Sequence, residues 1–360
     1  MAVSIKKLFE LEPAPLTPVG LFEDDDWLAA NTMLQREFFA RNEVGKGGVF
    51  QWDRRDYLRA LAPATGRSAA SKTVLGAEKD IKQIGAATFR INHTLTGEQL
   101  HAFRAVGEGA ENGAAVIEEL RRSLRIRMLL SIEKLCAMTL KGTVTINSTV
   151  FPDSTVEGVS IAYSPTTLAV SANWSTVGTK IVSSDCHTMR AAIMDASGAR
   201  IDTLLFNESI EKMLDANTEV QALVSALPRS IDILTHSVSR LQGAGGIRRW
   251  MSYTGSYKPE GGSVTRFIAD NDLIAIPEGY QDLLVLGQAE CDIPKEGGAV
   301  LARFGNIATR PGPTPDTATG YSEYVVQRND PAGVKLIAQW SGMPLMRLPE
   351  AFGLEDDVTS

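Results

Sequence analysis

Hydrophobic and polar positions along this chain fall into stretches of different period. From Ala110 to Leu140 about thirty residues run without proline, and Ile117, Leu120, Leu124, Met128, Ile132, Leu135 and Met138 recur at three- and four-residue steps. That spacing predicts one long amphipathic helix whose apolar stripe faces a core. At 1.5 Å per residue it would be roughly 45 Å long. Glu118 can pair with Arg122 one turn further on. Lys141-Gly142 closes the helix with a last-turn cation and a C-terminal glycine. Gly142 to Phe151 then alternates with β-branched residues, which predicts a strand running straight off the helix.

Upstream, Val49–Trp52 with Tyr57–Leu61 predicts a strand, and Ile84–Ile91 a returning one. Between them, Pro63 to Lys82 is small and polar, carrying Arg67, Lys72, Lys79 and Lys82 but too little apolar mass to own a core. A loop of that length inside a compact domain usually has work to do, and a long hairpin with a mildly basic tip is the expected shape. Residues 1–25 hold Pro13, Pro15 and Pro18 and then Glu23-Asp24-Asp25-Asp26, the pattern of an extended arm. Asp26 is placed to cap a helix over Trp27–Arg41.

Downstream, Ser184 or Asp185 opens a helix that ends at Gly198. Ile201–Phe206 reads as a buried strand, and Glu208–Ala226 as a second helix ending before Pro228. Strands are expected at Val156–Tyr163, Arg248–Tyr257, Thr265–Ala269, Leu273–Ile276, Asp282–Leu286, Glu323–Gln327 and Val334–Trp340. A loop from Lys295 to Gly320 carries Pro311, Pro313 and Pro315, and an apolar tail follows Met343. Helices and strands mix without a βαβ rhythm, so the fold class is α+β.

Length and composition narrow the possibilities. The 360 residues are 44% hydrophobic and 22% charged, with a net charge of −7. That is the profile of a folded chain able to bury a sizeable core, and it argues against a surface that wraps nucleic acid throughout. The 22 residues between Glu157 and Lys180 carry no charge but hold eight Ser or Thr, so they do not read as a membrane span. The first residues show no apolar leader, because Glu10 and Glu12 interrupt it. Cys136, Cys186 and Cys291 are odd in number and widely spaced, which gives neither a disulfide framework nor a zinc site.

Candidate chemistry is sparse. The four histidines, His93, His101, His187 and His236, sit in no metal-binding spacing. Cys186-His187 is the one nucleophile–base pair to consider, but adjacent helical residues point about 100° apart. Gly107–Gly113 is glycine-rich without the lysine of a phosphate loop, and Glu108 and Glu111 would repel a phosphate. The same holds for Gly243–Gly246. The basic groups Arg54, Arg55 and Arg59, and Arg121, Arg122, Arg125 and Arg127, have acids beside them and read as solvated faces or subunit contacts. No catalytic, metal or cofactor-binding residue is assigned.

Two stretches carry a family resemblance. One is Met138-Thr-Leu-Lys-Gly-Thr-Val-Thr-Ile146 with Phe151-Pro-Asp153. The other is Ser341-Gly-Met-Pro-Leu-Met-Arg-Leu-Pro-Glu-Ala-Phe352, with Phe267-Ile-Ala-Asp-Asn-Asp272 as weaker support. These resemble the phage major capsid protein of the HK97-like fold, specifically the lambda-type major head protein family, and the order of elements matches over nearly the whole chain. The loop at 295–320 is longer and richer in proline than that family's pattern.

The resemblance implies an N-terminal arm at 1–41 and an extended E-loop at 42–95. It implies a P-domain at 96–183 and 321–360, with its spine helix at about 110–140, and an A-domain at 184–320. It also implies a non-enzymatic protein that assembles as pentamers and hexamers into an icosahedral shell enclosing double-stranded DNA. Partners would be further copies of the chain, a separate scaffolding protein, a portal and, as an optional coat, a decoration protein. DNA would be touched only weakly and without specificity, and no membrane or cofactor would be involved. The location would be the virion, after assembly in the host cytoplasm. Arg67, Lys72, Lys79 and Lys82 become candidates for meeting Glu118 and Glu119 of a neighbouring copy. The alternative on the same fold is the shell of an encapsulin-like cellular nanocompartment.

Overall fold

The computed structural model describes residues 26–45, 48–56, 78–96, 109–151, 159–169, 174, 181–226, 246–259, 262–292, 300–306, 317–329 and 332–355. The chain opens with two short helices, α1 (Asp26–Asn31) and α2 (Met33–Glu37), and a strand β1 (Asn42–Gly45). The hairpin β2 (Val49–Asp56) and β3 (Glu78–Gly85) follows, then β4 (Ala87–Thr96) and the long helix α3 (Gly109–Leu140). Next come β5 (Thr143–Ile146), β6 (Val159–Ala162), β7 (Thr166–Thr167), α4 (Ile181–Ser197), β8 (Ile201–Phe206), α5 (Glu208–Ala216) and α6 (Thr218–Ala226). Then β9 (Arg249–Ser252), β10 (Ser256–Tyr257), β11 (Thr265–Arg266), β12 (Leu273–Pro277) and α7 (Tyr280–Leu283) lead to β13 (Leu284–Asp292). The chain ends with β14 (Val300–Asn306), β15 (Thr317–Thr319), β16 (Tyr321–Asn329), β17 (Ala332–Met346) and β18 (Gly353–Glu355).

A mainly antiparallel sheet runs β1-β13-β17-β16-β14, with β4 along β17 and β15 along β13. Strand β17 is its axis: β16 pairs with residues 332–340 and β4 with 333–342, and β13 takes over from Gly342 to Met346. Having partners along its whole length, β17 runs unbroken through the segment expected as a separate apolar tail. Residues Leu336 to Met346 are buried on both faces. The stripe of α3 packs on this sheet, and Leu124, Met128, Ile132, Leu135 and Leu140 join one core with Val334, Leu336, Ala338, Trp340 and Met343. A second core lies around the sheet β7-β18-β12-β8-β9, where Val182, Met189 and Ile193 of α4 meet Leu204, Phe206, Ile210, Leu214 and Trp250.

The long helix is as expected, and Gly142 ends it at φ +83°. A side chain there would be strained, and a Cβ would also lie 2.7 Å from Pro165. Lys141 Nζ reaches Asp272 at 2.6 Å.

Several boundaries differ from the sequence expectation, mostly because distant side chains set them. The helix expected over Trp27–Arg41 is broken at Thr32, where φ is −130° and ψ is 28°. Thr32 Oγ1 donates to the Leu28 carbonyl, and the buried Glu133 carboxylate accepts the Leu34 and Gln35 N–H groups, starting a new helix. Helix α4 begins at Ile181, ahead of Ser184, because Glu219 accepts the N–H groups of Val182 and Ser183. The helix expected over Glu208–Ala226 is two, since Asn217 leaves helical geometry and its Oδ1 caps Glu219 and Val220.

The strand after Gly142 stops at Ile146, as Asn147 Oδ1 accepts from Thr149 and Val150 and makes a turn. The stretch Arg248–Tyr257 is two strands, Thr265–Ala269 is strand only at Thr265–Arg266, and a helical turn precedes β13. The arm at 1–25, the hairpin tip at 57–77 and most of the proline-rich loop lie outside the described residues.

Candidate assembly interface

The hairpin β2–β3 pairs in register from Val49 opposite Gly85 to Asp56 opposite Glu78. Its root is fixed by two aromatic residues. Phe50 is buried against Gly45 and Gly287, where any Cβ would come within 2.6 and 2.7 Å of its ring. Trp52 Nε1 donates to the Arg347 carbonyl at 3.3 Å. The Ala86 N–H donates to the Gly48 carbonyl at 2.8 Å, which closes the base. Beyond this base the strands pair with each other and belong to neither large sheet. Lys82 stands opposite Trp52, and Lys79 opposite Arg55. Arg67 and Lys72 lie outside the described residues.

The other half of the expected contact lies on α3. Glu118 and Glu119 are both exposed there, with Arg122 and Ser123 beside them. Glu118 is already engaged: it accepts from Arg121 Nη1 at 2.6 Å and lies 3.6 Å from Arg125 Nη1.

Beneath this surface the expectation for the arginines needs correction. Arg121 and Arg125 are neither solvated nor at the surface; both are buried and turned onto Glu323 of β16, which is 2% exposed. Arg121 Nε donates to Glu323 Oε2 at 2.9 Å, and Arg125 donates through Nε to Oε1 and through Nη2 to Oε2. Tyr321 Oη donates to Glu323 Oε1 at 2.5 Å. Burial, the charge of Glu323 and that hydrogen bond hold the Tyr321 hydroxyl far above its ordinary range. The cluster rivets the first half of α3 to the sheet. Its signal was present in the sequence, because Arg121 and Arg125 fall on the same helical stripe as Ile117, Leu124 and Met128.

The pair considered for nucleophilic chemistry is not assembled for it. Cys186 is buried while His187 on the same helix is exposed. Burial, together with the Asp185 and Glu219 charges, pushes the Cys186 thiol up to about 12. At neutral pH it is a thiol and not a nucleophile. Among the described residues, no group of three or more His, Cys, Asp or Glu is placed to hold a metal ion. No described helix is long and apolar enough to cross a membrane.

A long helix laid on an antiparallel sheet, a hairpin seated at its root beside that sheet and a second α+β unit match the HK97-like fold of phage capsid structures. The chain belongs to the phage major capsid protein E family, whose model matches residues 29–352. No curated protein matches it in sequence. It is similar in structure to a crystal structure assigned to the capsid protein of a prophage of E. coli CFT073. There the TM-score is 0.56 at 13% identity, over 96% of this chain and 99% of that one. It is also similar to a phage-related protein from Bordetella bronchiseptica. That match has a TM-score of 0.50 at 12% identity, again over 96% of this chain and 99% of the other.

Proposed function

We propose that this capsid protein is a lambda-type major head protein that assembles as pentamers and hexamers into an icosahedral shell around double-stranded DNA. The observation that carries the reading is the hairpin β2–β3, seated at its root and paired beyond it only with itself among the described residues. A hairpin of that kind is completed by a neighbouring copy. In this reading residues 1–41 are the arm, 42–95 the E-loop, 96–183 with 321–360 the P-domain around α3 as spine, and 184–320 the A-domain. The basic residues Arg67, Lys72, Lys79 and Lys82 lie against Glu118 and Glu119 of the next subunit. Each exposed pair contributes only about 0–1 kcal/mol. Repeated around closed rings, such contacts still close a shell, and their weakness lets misplaced subunits leave.

The −7 net charge suits a container that must not hold its DNA by many phosphate contacts. Scaffolding and portal proteins would be separate chains, a decoration protein would sit outside, and no catalysis is required. Assembly takes place in the host cytoplasm and the product is the virion shell. Membership of a phage capsid family favours this over the encapsulin-like alternative.

The test is sedimentation of the protein expressed with a scaffolding protein. Particles far larger than the 38.9 kDa subunit are expected. Glu119→Lys should lower their yield while leaving the subunit's circular dichroism unchanged. Glu118→Lys should do more, because it also disturbs Arg121 and Arg125 in its own chain. Full particle yield from the Glu118→Lys, Glu119→Lys double variant would overturn the pairing.

A further inference from the structure

Glu133 is a fully buried carboxylate in the C-terminal third of α3, and three separate stretches of chain meet at it. Its Oε1 accepts the Leu34 N–H at 2.7 Å and the Tyr253 hydroxyl at 2.6 Å, and its Oε2 accepts the Gln35 N–H at 2.9 Å. The Tyr253 hydroxyl is also 3.1 Å from the Asn31 carbonyl, and the Asn31 side chain accepts the Ser256 N–H at 2.8 Å. One acid therefore holds the start of α2 against the long helix and ties both to the loop after β9.

Among the described residues, nothing cationic supports it. The groups that bear on its ionisation are the Tyr253 hydroxyl and the two backbone N–H groups, with the Cys136 thiol one turn along the helix. Lys134 is turned away, donating to the Val150 carbonyl and lying over the rings of Phe151 and Tyr257. Arg36 on α2 is exposed. A carboxylate buried without a counter-charge is disfavoured in its ionised form, and hydrogen bonds offset that only in part.

We propose that Glu133 is a pH-responsive latch for the N-terminal helical pair, closed more firmly in acid than above neutrality. The hydrogen bonding allows both states. When Glu133 is protonated, its hydroxyl can donate to Tyr253 Oη, whose own proton turns to the Asn31 carbonyl, while the other oxygen still accepts a backbone N–H. When it ionises, the closed site must hold an unpaired charge that water would solvate if α2 lifted away.

The sign follows from linkage. Burial raises Glu133 from 4.5 to about 7 in the closed form, and an open, solvated form returns to 4.5. The closed form binds more protons, so it is favoured fully below 4.5 and loses that advantage as pH rises through about 7. The limiting change in the opening equilibrium is about 300-fold, ten raised to the difference of the two values.

Hydrogen–deuterium exchange of the full chain tests this at the Leu34 and Gln35 amides, between pH 5 and 8.5 and corrected for intrinsic rates. Wild type should open progressively more as pH rises and level off above neutrality. Glu133→Gln, which cannot ionise, should lose that pH dependence. Equal pH profiles in the two proteins would overturn the latch. If Glu133→Gln does not fold, Tyr253→Phe decides. Loss of a hydrogen bond to the carboxylate should move the wild-type midpoint to higher pH, and an unmoved midpoint would also overturn the proposal.

Discussion

Replacing Glu323 by alanine tests how α3 is fastened to the sheet. The substitution removes the acceptor for three arginine N–H groups and the Tyr321 hydroxyl, and leaves two guanidinium groups with side chains 10% and 9% exposed. Breaking a buried ion pair by deleting one partner costs about 3–5 kcal/mol, because the remaining charge is uncompensated. Two arginines are stranded here, which pushes the cost up. Glu118 stays within 2.6 Å of one and 3.6 Å of the other, and being half exposed it offsets part of the loss. The lower end of the range, about 3 kcal/mol, is the expected value.

Urea titration of the unassembled subunit, followed by tryptophan fluorescence, reads it directly, with Trp340 on β17 as a nearby reporter. Glu323→Gln keeps an acceptor and should lose less. Replacing Arg121, Arg125 and Glu323 together by Met, Leu and Leu should be close to neutral, since no charge is then left buried. A loss below about 1 kcal/mol for the alanine variant would refute the reasoning. So would a triple variant no better than the alanine one.

Two further outcomes follow from the geometry. Gly142→Ala should destabilise the subunit by about 1–3 kcal/mol, measurable as a lowered melting temperature, because the left-handed backbone and the 2.7 Å approach to Pro165 add. In a Cys291→Ser background, a disulfide exchange reagent at pH 8 should leave Cys136 and Cys186 unmodified until the protein is unfolded, since burial raises both thiols well above their usual range. Rapid labelling of the folded chain would contradict that.

The main helix was legible because seven apolar residues keep helical step from Ile117 to Met138, and the tail of that stripe runs into a glycine that can adopt positive φ. The hairpin was legible only in outline, from a middle with too few apolar residues to bury: the returning strand is Glu78–Gly85, and the expected Ile84–Ile91 straddles a break at Ala86 into β4, which pairs with β17 instead. What could not be read locally were the breaks set by remote partners. Glu133 starts α2 from 99 positions away, and nothing near Thr32 announces it. Glu219 sets the start of α4 in the same way from 37 positions on. Arg121 and Arg125 were misread because acids stand next to them in sequence, whereas the acid that holds them is on β16. Their position within the apolar stripe was the better guide, as it was for Glu133 among Leu129, Cys136 and Leu140. The length of β17 depended on which strands lie beside it, a fact of the sheet and not of residues 332–346.

Electron microscopy of the purified protein, expressed with and without a scaffolding protein, tests the central claim most directly. Closed shells tens of nanometres across, or rings of five and six subunits, are the predicted result. A uniform population of 38.9 kDa monomers or of dimers under both conditions would contradict it.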